Sequence, residues 1–182
     1  MTKKGKSEWL DWIKALLIAF GLAFLVRTFL FTPIIVDGPS MQPTLHDRDQ
    51  MIVNKFNYRF DEPERFDVVV FHANEQKDFI KRVIALPGEH VAYNDNILYI
   101  NGQPIEEKFF TENQIDVHTN DFTLEQINGN YTTVPEGHVF VLGDNRTNST
   151  DSRLLGPIPI EQIVGKASVI YWPFDRFEFI GE

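Results

Sequence analysis

A chain of 182 residues with net charge −9 and no cysteine is long enough to bury one core, and it excludes disulfides, zinc–thiolate sites and cysteine nucleophiles. The charge is unevenly placed. From Thr32 onward 24 acidic residues stand against 12 basic ones, whereas residues 1 to 31 carry five basic residues against Glu8 and Asp11. An acidic bulk offers no electrostatic footprint for a phosphate backbone, so nucleic acid is not an expected partner.

The first element in chain order is an apolar helix. Trp12 to Phe31 runs for about 20 residues, which as a helix covers the roughly 30 Å hydrocarbon core of a bilayer. Lys14 and Arg27 lie near its ends, where long cationic side chains reach the interface. Lys3, Lys4, Lys6 and Lys14 precede or begin the span, so residues 1–11 are expected in the cytoplasm, 12–31 in the membrane and 32–182 outside. A cleaved leader is the competing reading, because Ala15 to Val26 has the length of a signal-peptide core. No Ala-x-Ala pattern follows it; Arg27, Phe29, Phe31 and Pro33 stand there instead.

After the span, short β-type runs separated by turn residues take over: Met51 to Val53, Val68 to Phe71, Phe79 to Leu86, Ile97 to Ile100, Val139 to Leu142 and Ser168 to Trp172. The expected fold is mainly β, with antiparallel sheets behind one N-terminal helix. Asn101-Gly102 signals a hairpin, since a type I′ turn needs positive φ at both central residues. Residues 92–133 are richer in Asn, Asp and Glu and less regular in their apolar spacing, which reads as an insertion into the β core. No repeat or Gly/Ser linker calls for a second domain.

Neither a Walker loop, G-x-G-x-x-G nor H-E-x-x-H occurs, and the five histidines stand far apart, so neither cofactor nor metal is expected. For nucleophilic chemistry, Ser40 sits between Pro39 and Pro43, which restrict the backbone on both sides. Serine at its own pKa is weak and needs a base. In an alternating strand, Lys81 shares a face with Phe79, Val83 and Ala85, and burial among apolar neighbours pushes a lysine toward neutrality. The polar loop 143–153 directly follows an apolar strand; in it an Asp and an Arg two apart are placed to pair, and a Ser hydroxyl to orient a neighbouring base. On composition alone these three segments read, in order, as a proline-bounded turn, a half-buried strand whose lysine reaches water, and a solvated turn.

Taken together, three segments resemble the ordered motif boxes of type I signal peptidases, in the single-span form of Gram-positive bacteria: Ser40-Met41-Gln42-Pro43-Thr44-Leu45; Lys81-Arg82-Val83 with Leu86-Pro87-Gly88-Glu89; and Gly143-Asp144-Asn145-Arg146 with Ser149, Asp151, Ser152 and Arg153. The resemblance implies a membrane-bound serine endopeptidase that removes signal peptides from preproteins, with Ser40 as nucleophile and Lys81 as general base. It further implies that Ser149 orients the lysine, that Asp151 and Arg153 brace the loop, and that Asp144 supports the site. Met41, Leu45, Phe79 and Ile80 fall at positions that form shallow pockets for small residues at −1 and −3. One departure stands out. Some members carry a serine two residues before the nucleophile as an oxyanion donor, whereas this chain has Gly38, and Pro39 has no N–H. The Ser40 N–H is then the expected donor.

Two other readings compete. Self-cleaving repressors share a related dyad, but the apolar span and the absence of a DNA-binding segment argue against one. An inactive membrane scaffold would be expected to lose Ser40 or Lys81, and both are present.

Overall fold

The computed structural model describes residues 4–180 apart from 57, 59–61, 75, 112–116 and 128. Residues 1–3 of the cationic N-terminus, and residues 112–116 and 128 within the 92–133 stretch, lie outside the described residues.

Helix α1 spans Lys4–Phe29. Within it Trp9–Arg27 is long and apolar enough to cross a membrane, and none of that window is buried against the rest of the chain. The helix ends two residues before the expected span does, because Phe31 already pairs with Asn54 in the first strand. That strand, β1 (Phe31–Ile35), contains Pro33 and, among the described residues, pairs only with β2 (Gln50–Asn54). An edge position tolerates a proline because no second ladder needs its N–H.

The chain continues through β3 (Val68–Asn74) and β4 (Lys77–Ala85), then enters a second sheet made of β5 (Val91–Asn94), β6 (Ile97–Ile100), β7 (Gln103–Ile105) and β8 (Phe122–Thr123). A one-turn helix α2 (Lys108–Thr111) separates the last two. The chain then returns to the first sheet through β9 (His138–Leu142), the one-turn helix α3 (Ser152–Leu155), β10 (Ile158–Pro159), β11 (Ile163–Trp172) and β12 (Glu178–Phe179). The large sheet runs β1-β2-β11-β3-β4-β9-β10 with β12 beside β11, and the small one runs β7-β6-β5-β8. The pairings in both sheets are antiparallel.

The local turn chemistry explains the small sheet. Asn101 and Gly102 both take positive φ between β6 and β7, as the Asn-Gly signal requires. Asp95 and Asn96 do the same between β5 and β6, a hairpin the strand reading did not anticipate. Asx residues tolerate this conformation, so the signal was present but weaker.

The centre of the large sheet is buried on both faces. In β3, Val68 and Val70 join one core cluster with Val36, Met41, Leu45, Met51 and Val53, while Val69 and Phe71 join another with Val83, Val139 and Val141. This accounts for the unbroken apolar run Val68–Phe71, since a strand covered on both sides has no polar face to alternate with. A third cluster, including Ile84, Tyr93, Leu98, Phe140 and Leu142, packs the two sheets together.

Candidate active site

The site forms where the loop after β1 meets β4 and the loop after β9. Ser40 lies in a turn that begins one residue after Pro39: Gln42 N donates to Pro39 O at 3.0 Å, and Leu45 N donates to Met41 O at 2.9 Å. This compact winding turns Met41 and Leu45 inward to the core and leaves Ser40 toward a cleft. The cleft has a volume of about 770 Å³ and is lined by Val36, Ser40, Met41, Phe79, Lys81 and Ser149, among others.

Lys81 reaches the same cleft from β4. Its Nζ donates to Ser40 Oγ at 2.8 Å and to the Ile80 carbonyl at 2.8 Å, and it lies 5.2 Å from the centroid of the Phe79 ring. The residue is 3% exposed. Burial lowers its pKa from 10.5 to about 8, against the opposing pull of the Asp151 and Asp144 carboxylates. A lysine so placed is substantially neutral just above pH 8, and its nitrogen then accepts a proton from a hydroxyl already within hydrogen-bond reach.

The expected common face of Phe79, Lys81, Val83 and Ala85 needs one correction. Phe79 and Val83 pack in one cluster, but Ala85 lies in another. A register irregularity between Val83 and Ala85 in the pairing with β9 breaks the alternation there, as a bulge does.

Loop 143–153 supplies the remaining polar groups. Asp151 is fully buried, caps α3, and accepts from Gly143 N at 3.1 Å and from Arg153 Nε and Nη2, each at 2.8 Å. Asp144, also fully buried, does not pair with its neighbour Arg146. It takes Arg82 instead, through Nε at 2.9 Å and Nη2 at 2.6 Å, together with the Thr44 hydroxyl at 2.6 Å. Arg146 turns away to Glu107, Tyr93 and Thr119 beneath the small sheet. Ser149 lines the cleft, and its buried Oγ has no hydrogen-bond partner among the described residues. The hydroxyl expected to orient Lys81 therefore makes no bond to it in this arrangement. The lysine is held by Ser40 and Ile80.

Of the four pocket positions anticipated, Met41, Phe79 and Ile80 line the cleft. Leu45 does not. It is fully buried in the cluster that also holds Met41, because the turn from Met41 O to Leu45 N puts both side chains on the inward side. The sequence reading assigned no role to Arg82, Thr44 or Asn145. Arg82 was recoverable in principle, since a strand sends consecutive residues to opposite faces: Lys81 in the cleft means Arg82 beneath it. Thr44 and Asn145 carried no such signal.

The chain is similar to known proteins over nearly its whole length. Residues 9–172 match the family model described as signal peptidase, peptidase S26. The chain is 44% identical to signal peptidase I of Bacillus caldolyticus, over 98% of this chain and 99% of that one. It is 41% identical to signal peptidase IB of Staphylococcus aureus strain MRSA252, over 96% and 95%. A crystal structure of a signal peptidase I from Enterococcus faecalis V583 superposes with a TM-score of 0.53 at 41% identity, covering 58% of this chain and 97% of that one.

Proposed function

The chain belongs to the signal peptidase, peptidase S26, family, and we propose that this serine peptidase removes signal peptides from exported preproteins with Ser40 as nucleophile and Lys81 as general base. The observation that carries the reading is the 2.8 Å contact between Ser40 Oγ and the nitrogen of a lysine that is 3% exposed, with its pKa lowered to about 8.

In this mechanism neutral Lys81 takes the Ser40 proton as Oγ attacks the scissile carbonyl. The Ser40 N–H donates to the oxyanion, and the ammonium of Lys81 returns a proton to the leaving amine of the mature protein. The signal peptide is left as an ester on Ser40. Lys81 then deprotonates a water that hydrolyses the ester, restoring both residues. The substrate lies extended along the cleft. Met41, Phe79 and Ile80 shape shallow subsites there that admit small side chains at −1 and −3. Asp144, Asp151, Arg153 and Ser149 hold the loop that closes the site; in this reading Ser149 engages Lys81 once the lysine releases Ser40.

The same reading places residues 1–11 in the cytoplasm, residues 12–31 in the bilayer as a single anchor, and residues 32–182 outside, with 92–133 as an insertion. The cationic N-terminal segment and the uncovered apolar window of α1 support that orientation.

The test is cleavage of a purified preprotein in detergent by the wild-type chain, Ser40→Ala and Lys81→Ala, with the cut mapped by mass spectrometry. A cut after a small residue at the signal-peptide boundary, lost in both folded variants, is the expected result. Normal cutting by either variant overturns the assignment.

A further inference from the structure

We propose that Asn145 is a positioning residue for the oxyanion, acting through the Pro39–Ser40 peptide; the proposal rests on the assignment of Ser40 as nucleophile. The side-chain Nδ2 of Asn145 donates to the Pro39 carbonyl at 3.1 Å, and its backbone N–H donates to the Ser40 carbonyl at 3.1 Å. One residue therefore holds the carbonyls on both sides of the nucleophile. The Pro39 carbonyl also accepts from Gln42 N at 3.0 Å.

The Pro39 carbonyl and the Ser40 N–H belong to one planar peptide unit, pointing in opposite directions. Bonds accepted by the carbonyl at one end fix the direction of the N–H at the other and polarise it as a donor. Among the described residues no group of the chain takes the Ser40 N–H, so it is free for an oxyanion. The neighbouring donors are not. Gly38 N–H is committed to Asp47 Oδ1 at 2.9 Å, and Pro39 has none. From Gly38 to Ser40 the developing negative charge thus has one backbone donor, and the orientation of that donor depends on a plane that Asn145 clamps.

Thr147 Oγ1 lies 3.5 Å from Asn145 Oδ1, on the acceptor side of the amide, while Nδ2 faces Pro39. Aspartate at this position would face the Pro39 carbonyl with an acceptor, and alanine would leave the carbonyl with Gln42 alone; both retain the backbone bond from residue 145 to Ser40.

The experiment uses the full-length chain in detergent and compares the wild type with Asn145→Ala, Asn145→Asp and Ser40→Ala. It reads kcat, KM, the pH profile, and inhibition by a peptide aldehyde. Addition of Ser40 Oγ to the aldehyde carbon, with the Oγ proton passing to Lys81, makes a hemiacetal alkoxide whose oxygen occupies the oxyanion position and leaves Lys81 as the ammonium. Removing an oxyanion donor outright costs about 10² to 10³ in kcat. Removing the clamp is expected to lower kcat by roughly 10 to 10², Asp more than Ala, and to weaken the aldehyde by the same factor, because both report stabilisation of the tetrahedral oxygen. KM stays within about twofold, and the acidic limb of the profile, which reports Lys81, does not move. If both variants keep wild-type kcat, or if kcat falls while aldehyde affinity holds, the proposal is overturned. A shift of the acidic limb also overturns it, since that locates the damage at the lysine. An active Ser40→Ala variant sinks the nucleophile assignment instead, which separates the two failures.

Discussion

Arg82 and Asp144 lock each other in a bidentate ion pair in the interior, at 2.9 and 2.6 Å, with side chains 3% and 0% exposed. Thr44 joins the pair, donating to Asp144 at 2.6 Å and accepting from Arg82 at 3.3 Å. Arg82 follows Lys81 on β4, Thr44 lies four residues after Ser40, and Asp144 opens the loop that carries Ser149. One buried ion pair therefore ties together the three chain segments that build the site.

Breaking such a pair from one side strands a charge in the interior, which costs about 3 to 5 kcal/mol. Asp144→Ala and Arg82→Ala are each expected to lose stability on that scale in urea unfolding. The double variant Arg82→Met/Asp144→Leu recovers most of the loss, because no charge is left unpaired. A loss below about 1 kcal/mol in both single variants would show that water reaches the pair.

The proposed mechanism requires neutral Lys81, and burial lowers its pKa to about 8. The rate at subsaturating substrate is expected to rise with pH through about 8 and then level off. Lys81→Arg is expected to be inactive across the whole range, since a guanidinium does not release its proton. A profile already flat from pH 6 to 9 would assign the proton transfer elsewhere.

The same shift has a stability sign. The folded pKa lies below the ordinary 10.5, so between about pH 8 and 10.5 the unfolded chain binds more protons and stability rises with pH. Below pH 8 the penalty of burying the charge is present in full, up to about 3 kcal/mol at 1.36 kcal/mol per unit. Lys81→Met is therefore expected to unfold at higher urea than the wild type at pH 7, with the advantage shrinking toward pH 10.5. Equal midpoints at pH 7 would mean that the bonds to Ser40 and Ile80 offset the burial.

Gly143 is squeezed against the site. A Cβ there would clash with Ser149 Oγ and lie 2.5 Å from the Ser40 carbonyl oxygen. Ser149 has a flexible side chain, but the Ser40 carbonyl is backbone, so Gly143→Ala is expected to displace the peptide of Ser40, the proposed nucleophile. Misplacement of reacting groups by about 1 Å costs on the order of 10² in rate. A kcat loss of that order, seen with the variant still folded by circular dichroism, is the expected outcome; wild-type kcat would show that the loop yields instead.

What depends only on local chain chemistry was legible in the residues. The apolar helix, the strand runs and the Asn101-Gly102 hairpin follow from periodicity and φ preferences that neighbouring residues dictate. The pairing of Lys81 with a serine 41 positions earlier was an expectation from the motif resemblance. The 2.8 Å contact exists only because the turn after β1 packs against β4.

Tertiary structure decided the partners. Asp144 stands two residues from Arg146, yet a guanidinium from β4 fills its buried site, while Arg146 is drawn under the small sheet to Glu107. Leu45 looks like a cleft residue in sequence and is core in space, and Ala85 leaves the face of Lys81 at an irregularity in the β9 pairing. Asn145 stood in the sequence as a motif residue with no role attached. Its two bonds to the Ser40 turn run to residues more than a hundred positions earlier. Local preferences act over a few residues of backbone, whereas burial, desolvation and the matching of interior charges are settled only when distant segments exclude water from the same volume.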